Sequence, residues 1–392
     1  MILERLQLQH FRNYAKLDLE LSPGSTLLYG ANGAGKTNVV EAIFTLATTK
    51  SFRARFDREM IGRDLEPGEV PFPFARLQGD ATQDGNPIRV EVLIAAAEAG
   101  KTDNGSSVRK QFRLNGSPKR ASDVVGQVKA VLFSPSDVEI VSGSPSARRR
   151  YIDVMLCQVD HSYLRLLQNY TRILQQRNGV LTRISGRSKG TVLEFWDEKL
   201  VAEGSEIIRR RLYLMGRLAA FAREKYAEVS GGSEELEVAY VPSIAGLELG
   251  NGSEPDGDGI ATAFRSGLEA EARRRDDLRM TTVGPHRDDM GLSIDGGSLL
   301  AYGSRGQHRT AAMALRMAEA AFILDQTGQE PILLLDEALG ELDDDRRDHL
   351  LAFVGGYPQV VLTGTSATAF PEAFRRTASL LRVQAGQVES PA

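Results

Sequence analysis

Gly30-Ala31-Asn32-Gly33-Ala34-Gly35-Lys36-Thr37 decides the fold class. The spacing is that of a phosphate-binding loop, G-x-x-x-x-G-K-[ST]. Its glycines let backbone N–H groups wrap a polyphosphate. Lys36 has the reach to meet the β- and γ-phosphates, and Thr37 offers a hydroxyl to Mg²⁺. A short apolar run, Thr26 to Tyr29, precedes the loop. Asn38 to Thr48 follows it with helical spacing of Val39, Val40, Ile43, Phe44 and Leu46. Strand, loop and helix in that order are the setting the motif requires, with the positive end of the helix aimed at the anion. The stretch predicts an α/β fold in which Gly30 to Thr37, with Asn38, hold ATP.

Working outward, Ile332-Leu333-Leu334-Leu335-Asp336-Glu337 supplies a candidate second half of the site. Four apolar residues suit a buried strand, and two carboxylates leave its end. Asp336 is expected to hold Mg²⁺ together with Thr37. Glu337 is expected to polarise the water that attacks the γ-phosphate, with Lys36 as the other catalytic residue. An ordinary buried strand with a solvated acidic turn is the plainer reading of the same pattern. The two halves stand about three hundred residues apart, so whatever lies between them must loop out.

The intervening chain changes character. Up to about residue 140 it alternates like strands, with Leu6, Leu8, Leu17 and Leu19 spaced by two and Asn115-Gly116 marking a hairpin. Arg148 to Leu181, Val192 to Glu228 and Ala261 to Leu278 have helical periodicity, with glycine-rich breaks at Ser230 to Ser233 and Gly250 to Gly259. Thr310 to Leu324 predicts an alanine-rich helix. The expected architecture is an α/β P-loop head from residues 1–140 and 280–392, split by a mostly helical insertion over 141–279.

Charge follows the same division. Residues 141–230 hold sixteen Lys/Arg against nine Asp/Glu, a local charge of +7 on a chain of net −4. Basic segments on acidic chains suit nucleic-acid backbones. Arg148, Arg149, Arg209 and Arg210 are the candidate DNA contacts, although arginines on long helices also serve as solvated faces or internal ion pairs. The single cysteine, Cys157, sits among apolar residues where a buried thiol is expected. No apolar run reaches the ~18 residues a bilayer span needs, and the first residues alternate instead of forming a signal-peptide core. A cytoplasmic protein without a membrane partner is expected.

One more motif narrows the class. Ser304-x-Gly306-Gln307 opens the alanine-rich helix and resembles the signature of ABC-type ATPases; Glu341-Leu342-Asp343, after the paired carboxylates, resembles their D-loop. In that superfamily the signature of one subunit meets the γ-phosphate held by the other. The resemblance thus implies an ATP-sandwiched homodimer, with Ser304, Gly306, Gln307 and Asp343 as nucleotide contacts. A plain helix cap would use the same serine. Phe11-Arg12-Asn13-Tyr14, Val131 to Pro135, Gly143 to Asp153, Gln176-Arg177-Asn178 and Gly284-Pro285-His286-Arg287-Asp288-Asp289 resemble, in order, the RecF family of bacterial DNA-repair ATPases.

That resemblance implies ATP-dependent binding to duplex DNA, gaps or junctions without sequence preference. It also implies nucleotide contacts from Arg12 and Asn13. RecR and RecO would be the partners, helping RecA displace single-strand-binding protein. Two departures imply slow hydrolysis. Ser134-Pro135 stands where a metal-reaching glutamine is usual, and Leu362-Thr363-Gly364-Thr365 where a histidine is usual. Three other classes fit less well. A transporter ATPase subunit needs no basic insert of this length, a chromosome-organising SMC protein needs long heptad coils, and a small-molecule kinase leaves Ser304 to Gln307 unexplained.

Overall fold

The computed structural model describes residues 1–62, 72–96, 108–183, 188–245, 247, 257–340 and 342–389. In chain order the strands are β1 (Ile2–Phe11), β2 (Tyr14–Glu20), β3 (Gly24–Tyr29), β4 (Phe74–Gln83), β5 (Asn86–Ala96), β6 (Val108–Leu114), β7 (Ser117–Lys119) and β8 (Ala130–Phe133). Then follow β9 (Leu236–Val241), β10 (Asp289–Ile294), β11 (Gly297–Ser298), β12 (Ile332–Leu335), β13 (Gln359–Gly364), β14 (Ser379–Gln384) and β15 (Gln387–Glu389). The principal helices are α1 (Lys36–Thr48), α2 (Pro145–Val159), α3 (Tyr163–Arg183), α4 (Ser188–Ser230), α5 (Gly257–Ala270), α6 (Arg305–Thr327) and α7 (Asp344–Val354).

Two compact units result, Met1–Ser136 with Glu319–Ala392, and Asp137–Ala318. The first contains two sheets. One is antiparallel, in the order β2-β1-β4-β5-β6-β7. Alternating residues make its strands: Leu3, Leu6 and Leu8 of β1 are buried, while Glu4 and Arg5 are exposed. At the β6–β7 hairpin Asn115 and Gly116 take positive φ of 51° and 79°, as a tight two-residue turn demands. The other sheet has the order β15-β14-β3-β13-β12-β8, parallel except for β15. Apolar residues dominate where β8, β12 and β13 pair (Ala130 to Phe133, Ile332 to Leu335, Val360 to Leu362), as expected where both faces are covered. Gln359 ties the unit's N-terminal strand to β13: its Oε1 accepts from Leu3 N at 2.8 Å and its Nε2 donates to Leu3 O at 2.8 Å.

The second unit is helical with a small antiparallel sheet, β11-β10-β9. Its extent differs from the expected insertion. Residues 280–318 pack here and not with the first unit, because β10 hydrogen-bonds along its whole length to β9. The helical run expected from Arg148 to Leu181 is two helices. Asp160 breaks it, capping the entry to α3 through Ser162 N and Oγ. The run from Ala261 to Leu278 is likewise α5 and a shorter helix, Ala272–Leu278. Of the expected Gly250 to Gly259 loop, residues 257–259 open α5 and the others lie outside the described residues. Cys157 is half-buried, not buried. Among the described residues no helix is long and apolar enough to cross a membrane.

Candidate functional site

The parallel sheet builds the site by its strand order. The C-terminal ends of β3, β13 and β12 lie side by side, and β3 delivers the glycine loop straight into α1. Ligands of open α/β sheets gather at such strand ends. Gly33 and Gly35 take φ of 80° and 120°, backbone that side chains rarely adopt. A Cβ on Gly30 would stand 2.2 Å from the carbonyl oxygen of Val383, so that position also has no room. Ala31, Asn32 and Gly33 are exposed; Ala34, Gly35 and Lys36 are buried.

Lys36 Nζ donates to the carbonyls of Gly30 and Ala31 at 2.8 and 3.0 Å, curled back over its own loop. Those contacts are ones a polyphosphate could replace. Thr37 Oγ1 donates to Asp336 Oδ1 at 2.9 Å, across 299 residues of sequence. The two nucleotide half-motifs therefore meet, as expected. Backbone pairing puts Asp336 there: its N–H donates to Phe133 O at the end of β8. A hydroxyl beside a carboxylate is a donor set that suits a hard cation, but two oxygens do not fill an octahedral shell, so Mg²⁺ here would draw its remaining ligands from phosphate and water. Burial, foremost, raises the Asp336 carboxyl above the ordinary carboxylate range, and neighbouring Glu337 adds to this. The hydrogen bonds from Thr37 and Thr363 work against that rise.

Glu337 follows with a left-handed backbone, φ 54°. Its side chain is about half exposed, 47%, with Oε1 4.0 Å from Lys36 Nζ. It is thus open to water while standing over the loop's lysine. Thr363, on β13, accepts from Glu337 N at 2.9 Å and donates to Asp336 Oδ1 at 3.0 Å.

Side chains and backbone from outside the motif brace the loop. Asn13 Nδ2 donates to Ala34 O at 3.0 Å, and Asn38 Nδ2 donates to Asn13 Oδ1 at 2.7 Å. Gly386, in the β14–β15 turn, donates its N–H to the same Ala34 carbonyl at 3.0 Å. Tyr14 OH donates to Gly35 O at 3.1 Å, and burial pushes its phenol well up, keeping it a donor. The Arg12 guanidinium, expected at the nucleotide, is instead spent on Glu41, at 2.9 and 2.6 Å, and on Glu59 O at 2.6 Å. Glu41 is buried and also accepts from Ser51 Oγ. Motif spacing assigns no role to Glu41, and to Thr363 only a place in the stretch Leu362 to Thr365 where a histidine is usual. A charged residue recurring on the buried face of α1 is the signal that points to Glu41.

Open space of about 750 Å³ borders the loop's outer rim, with Asn32, Thr365, Arg382 and Gln384 among its walls. A cavity of about 810 Å³ elsewhere in the unit meets Arg5 and Arg89, whose charges are already paired with Asp18 and Asp80.

Asp343 caps α7, accepting from Arg346 N at 3.0 Å and pairing with the Arg346 side chain; Glu341 lies outside the described residues. In the second unit Ser304 and Gln307 form a reciprocal capping box at the start of α6. Gln307 N donates to Ser304 Oγ at 3.1 Å, and Ser304 N to Gln307 Oε1 at 2.8 Å. Gln307 Nε2 also donates to Glu234 Oε1. The helix-cap reading of Ser304 is therefore realised. Its hydroxyl proton and the first-turn amides, Gly306 included, remain able to face an anion.

The arginines expected on DNA are largely committed within the second unit. Arg148 is 3% exposed; it grips Asp289 with two bonds of 2.7 and 2.8 Å and donates to Gly143 O. It cannot reach a phosphate, which corrects that expectation. Arg149 donates to Asp288 O at 2.8 Å. Arg209 pairs with Glu206, and Arg210 with Glu206 and Asp160. The Glu206 carboxyl is driven down to about 2, first by its hydrogen bond from Arg209. Around them, Asp288 is fully buried and accepts from Tyr240 OH and from Ser243 N and Oγ. Arg211, 2% exposed, holds Asp153 and Pro285 O. Arg148, Arg211 and Asp288 are thus part of the polar core of this unit.

The sequence model of the RecF/RecN/SMC N-terminal domain family matches residues 2–388. The DNA replication and repair protein RecF of Chloroflexus aurantiacus is 41% identical, over 99% of both chains. That of Roseiflexus castenholzii is 40% identical, again over 99% of both. Among solved structures, the recombination mediator protein RecF with ATPrS, of the RecFOR pathway, superposes with a TM-score of 0.86 at 30% identity, covering 100% of this chain and 98% of that one. The Smc head domain of Pyrococcus furiosus, at 15% identity and a TM-score of 0.51, shares the fold.

Proposed function

The chain belongs to the RecF family, within the RecF/RecN/SMC group, and from that premise we propose that it is an ATP-switched DNA-binding protein of replication and recombinational repair. The observation that carries the reading is the 2.9 Å bond between Thr37 and Asp336, which joins the two nucleotide motifs with Glu337 and Lys36 at hand.

Bound ATP and Mg²⁺ would supply the phosphoanhydride and the charge that organises its oxygens. Lys36 exchanges the Gly30 and Ala31 carbonyls for phosphate oxygens. The glycine backbone and the amides opening α1 wrap the same anion. Thr37 and Asp336 hold the cation. Glu337, exposed to water, takes the proton of the attacking water. The first unit is read as the nucleotide head and the second as its insertion. Hydrolysis is slow, since Leu362-Thr363-Gly364-Thr365 carries no histidine at the strand end where related ATPases have one. Ser304, Gly306 and Gln307 of a second copy complete each site, so ATP closes a homodimer on DNA and hydrolysis releases it. At gaps in bacterial chromosomes, in the cytoplasm, the dimer works with RecO and RecR to bring RecA onto single strands. The solved relative, a recombination mediator of the RecFOR pathway, supports that assignment of partners.

The test is mass in solution with ATP and duplex DNA for the wild type and Lys36→Arg. The wild type is expected to dimerise and the variant to stay monomeric. A wild type that remains monomeric with ATP and DNA ends the switch reading.

A further inference from the structure

We infer that Thr363 is a positioning residue that couples the cation-holding carboxylate to the water-activating one. The inference rests on the assignment of Asp336 and Glu337 proposed above and goes beyond it. Thr363 is 4% exposed and stands on β13, between β3 and β12. Pairing of β12 with β13 ends at Leu335 opposite Leu362. Thr363 is therefore the first residue of β13 past the end of its partner, and its side chain meets the Asp336–Glu337 peptide instead of a strand. One hydroxyl serves two neighbours. It accepts from Glu337 N at 2.9 Å and donates to Asp336 Oδ1 at 3.0 Å.

Two features give this contact a purpose beyond packing. Glu337 has φ 54°, a left-handed conformation that costs a side-chain-bearing residue free energy and persists only where surrounding contacts impose it. Its amide bond to Thr363 is such a contact, and it fixes the direction in which the carboxylate leaves the chain. Asp336 Oδ1 accepts from Thr37 as well as from Thr363. Thr37 is committed to the cation once that ion is held, so Thr363 is the donor that keeps Asp336 oriented in both states. Thr363 thus transmits the position of Asp336 to the backbone of Glu337 without touching nucleotide.

Three variants test this. Thr363→Val keeps the shape and removes the hydroxyl; Thr363→Ser keeps the hydroxyl; Glu337→Gln reports on the base itself. Without nucleotide, hydrogen exchange at the Glu337 amide is expected to accelerate in the valine chain and to stay slow in the serine chain. With nucleotide, kcat is expected to fall ~tenfold or more in the valine chain while the Kd of a fluorescent ATP analogue changes less than ~threefold, and serine restores kcat. Unchanged exchange and kcat in the valine chain would overturn the inference. So would a loss of binding proportional to the loss of rate, or a serine chain as impaired as the valine one. Full hydrolysis by Glu337→Gln refutes the base assignment beneath it; hydrolysis lost in Glu337→Gln but intact in Thr363→Val refutes Thr363 alone. Should the valine chain fail to fold, Thr363→Ala carries the same comparison.

Discussion

Asp336 shows how one residue's cost becomes a lever. It is 8% exposed, and burial raises its carboxyl above the ordinary range. A carboxyl with a raised native value costs nothing while it is protonated in both states; the penalty enters as pH rises through the native value. Asp336→Asn removes that penalty and can still accept from Thr37 and Thr363. Free of nucleotide, this variant is expected to melt a few degrees above the wild type at pH 7.5, to lose that advantage near pH 3, and to hydrolyse no ATP. Calorimetry across pH checks it. His286 works in the opposite sense. Burial takes its imidazole down to about 4, with Tyr170 OH 2.7 Å from Nδ1. A depressed histidine lends its stability above its unfolded value near 6.5 and withdraws it as pH falls towards 4, on the order of 3 kcal/mol in all. Unfolding followed between pH 7 and 4 is expected to steepen with acid in the wild type and to flatten in His286→Gln.

At the scale of elements, the glycine loop depends on a turn that its own motif does not contain. Gly386 donates to Ala34 O, and a Cβ on it would stand 2.4 Å from the carbonyl oxygen of Asn13. Gly386→Ala is expected to displace Asn13 from Ala34 and to weaken ATP binding by about 1–3 kcal/mol, the range of an overpacked contact. Titration with a fluorescent analogue measures this, and unchanged affinity would contradict it. Gly30 to Thr37 and Ile332 to Glu337 were legible because phosphate and metal chemistry restrict residue type at short spacing. Gly386 was not, nor were the bonds that Glu41 and Thr363 make, since the partners lie hundreds or tens of residues away. Helix content was legible from periodicity. The break at Asp160 was not, because a single polar cap does not interrupt apolar spacing. The charge of residues 141–230 was legible, and the partners of its arginines were not. Whether an arginine is free depends on partners such as Asp289, which lies 141 residues from Arg148.

For the whole molecule, the same arginines divide into those that hold it together and those still half in water. Arg148→Ala leaves Asp289 without its paired charge, and breaking such a buried pair costs about 3–5 kcal/mol. It is expected to lower the melting temperature sharply, whereas Arg209→Ala, at a side chain 38% exposed, leaves it within a degree or so. Loss of DNA affinity in Arg148→Ala with an unchanged melting curve would argue for the opposite assignment. The strand order carries a consequence for how the protein is made. β3 lies between β13 and β14, and both of these are synthesised long after it. A ribosome adding roughly 5–20 residues per second takes some tens of seconds to travel from the glycine loop to those strands. Until it arrives, β3 has two bare edges and Thr37 has no Asp336. The nascent chain is therefore a protein without a nucleotide site, open to misplaced pairing and to chaperones, and it acquires its chemistry only once those strands have emerged.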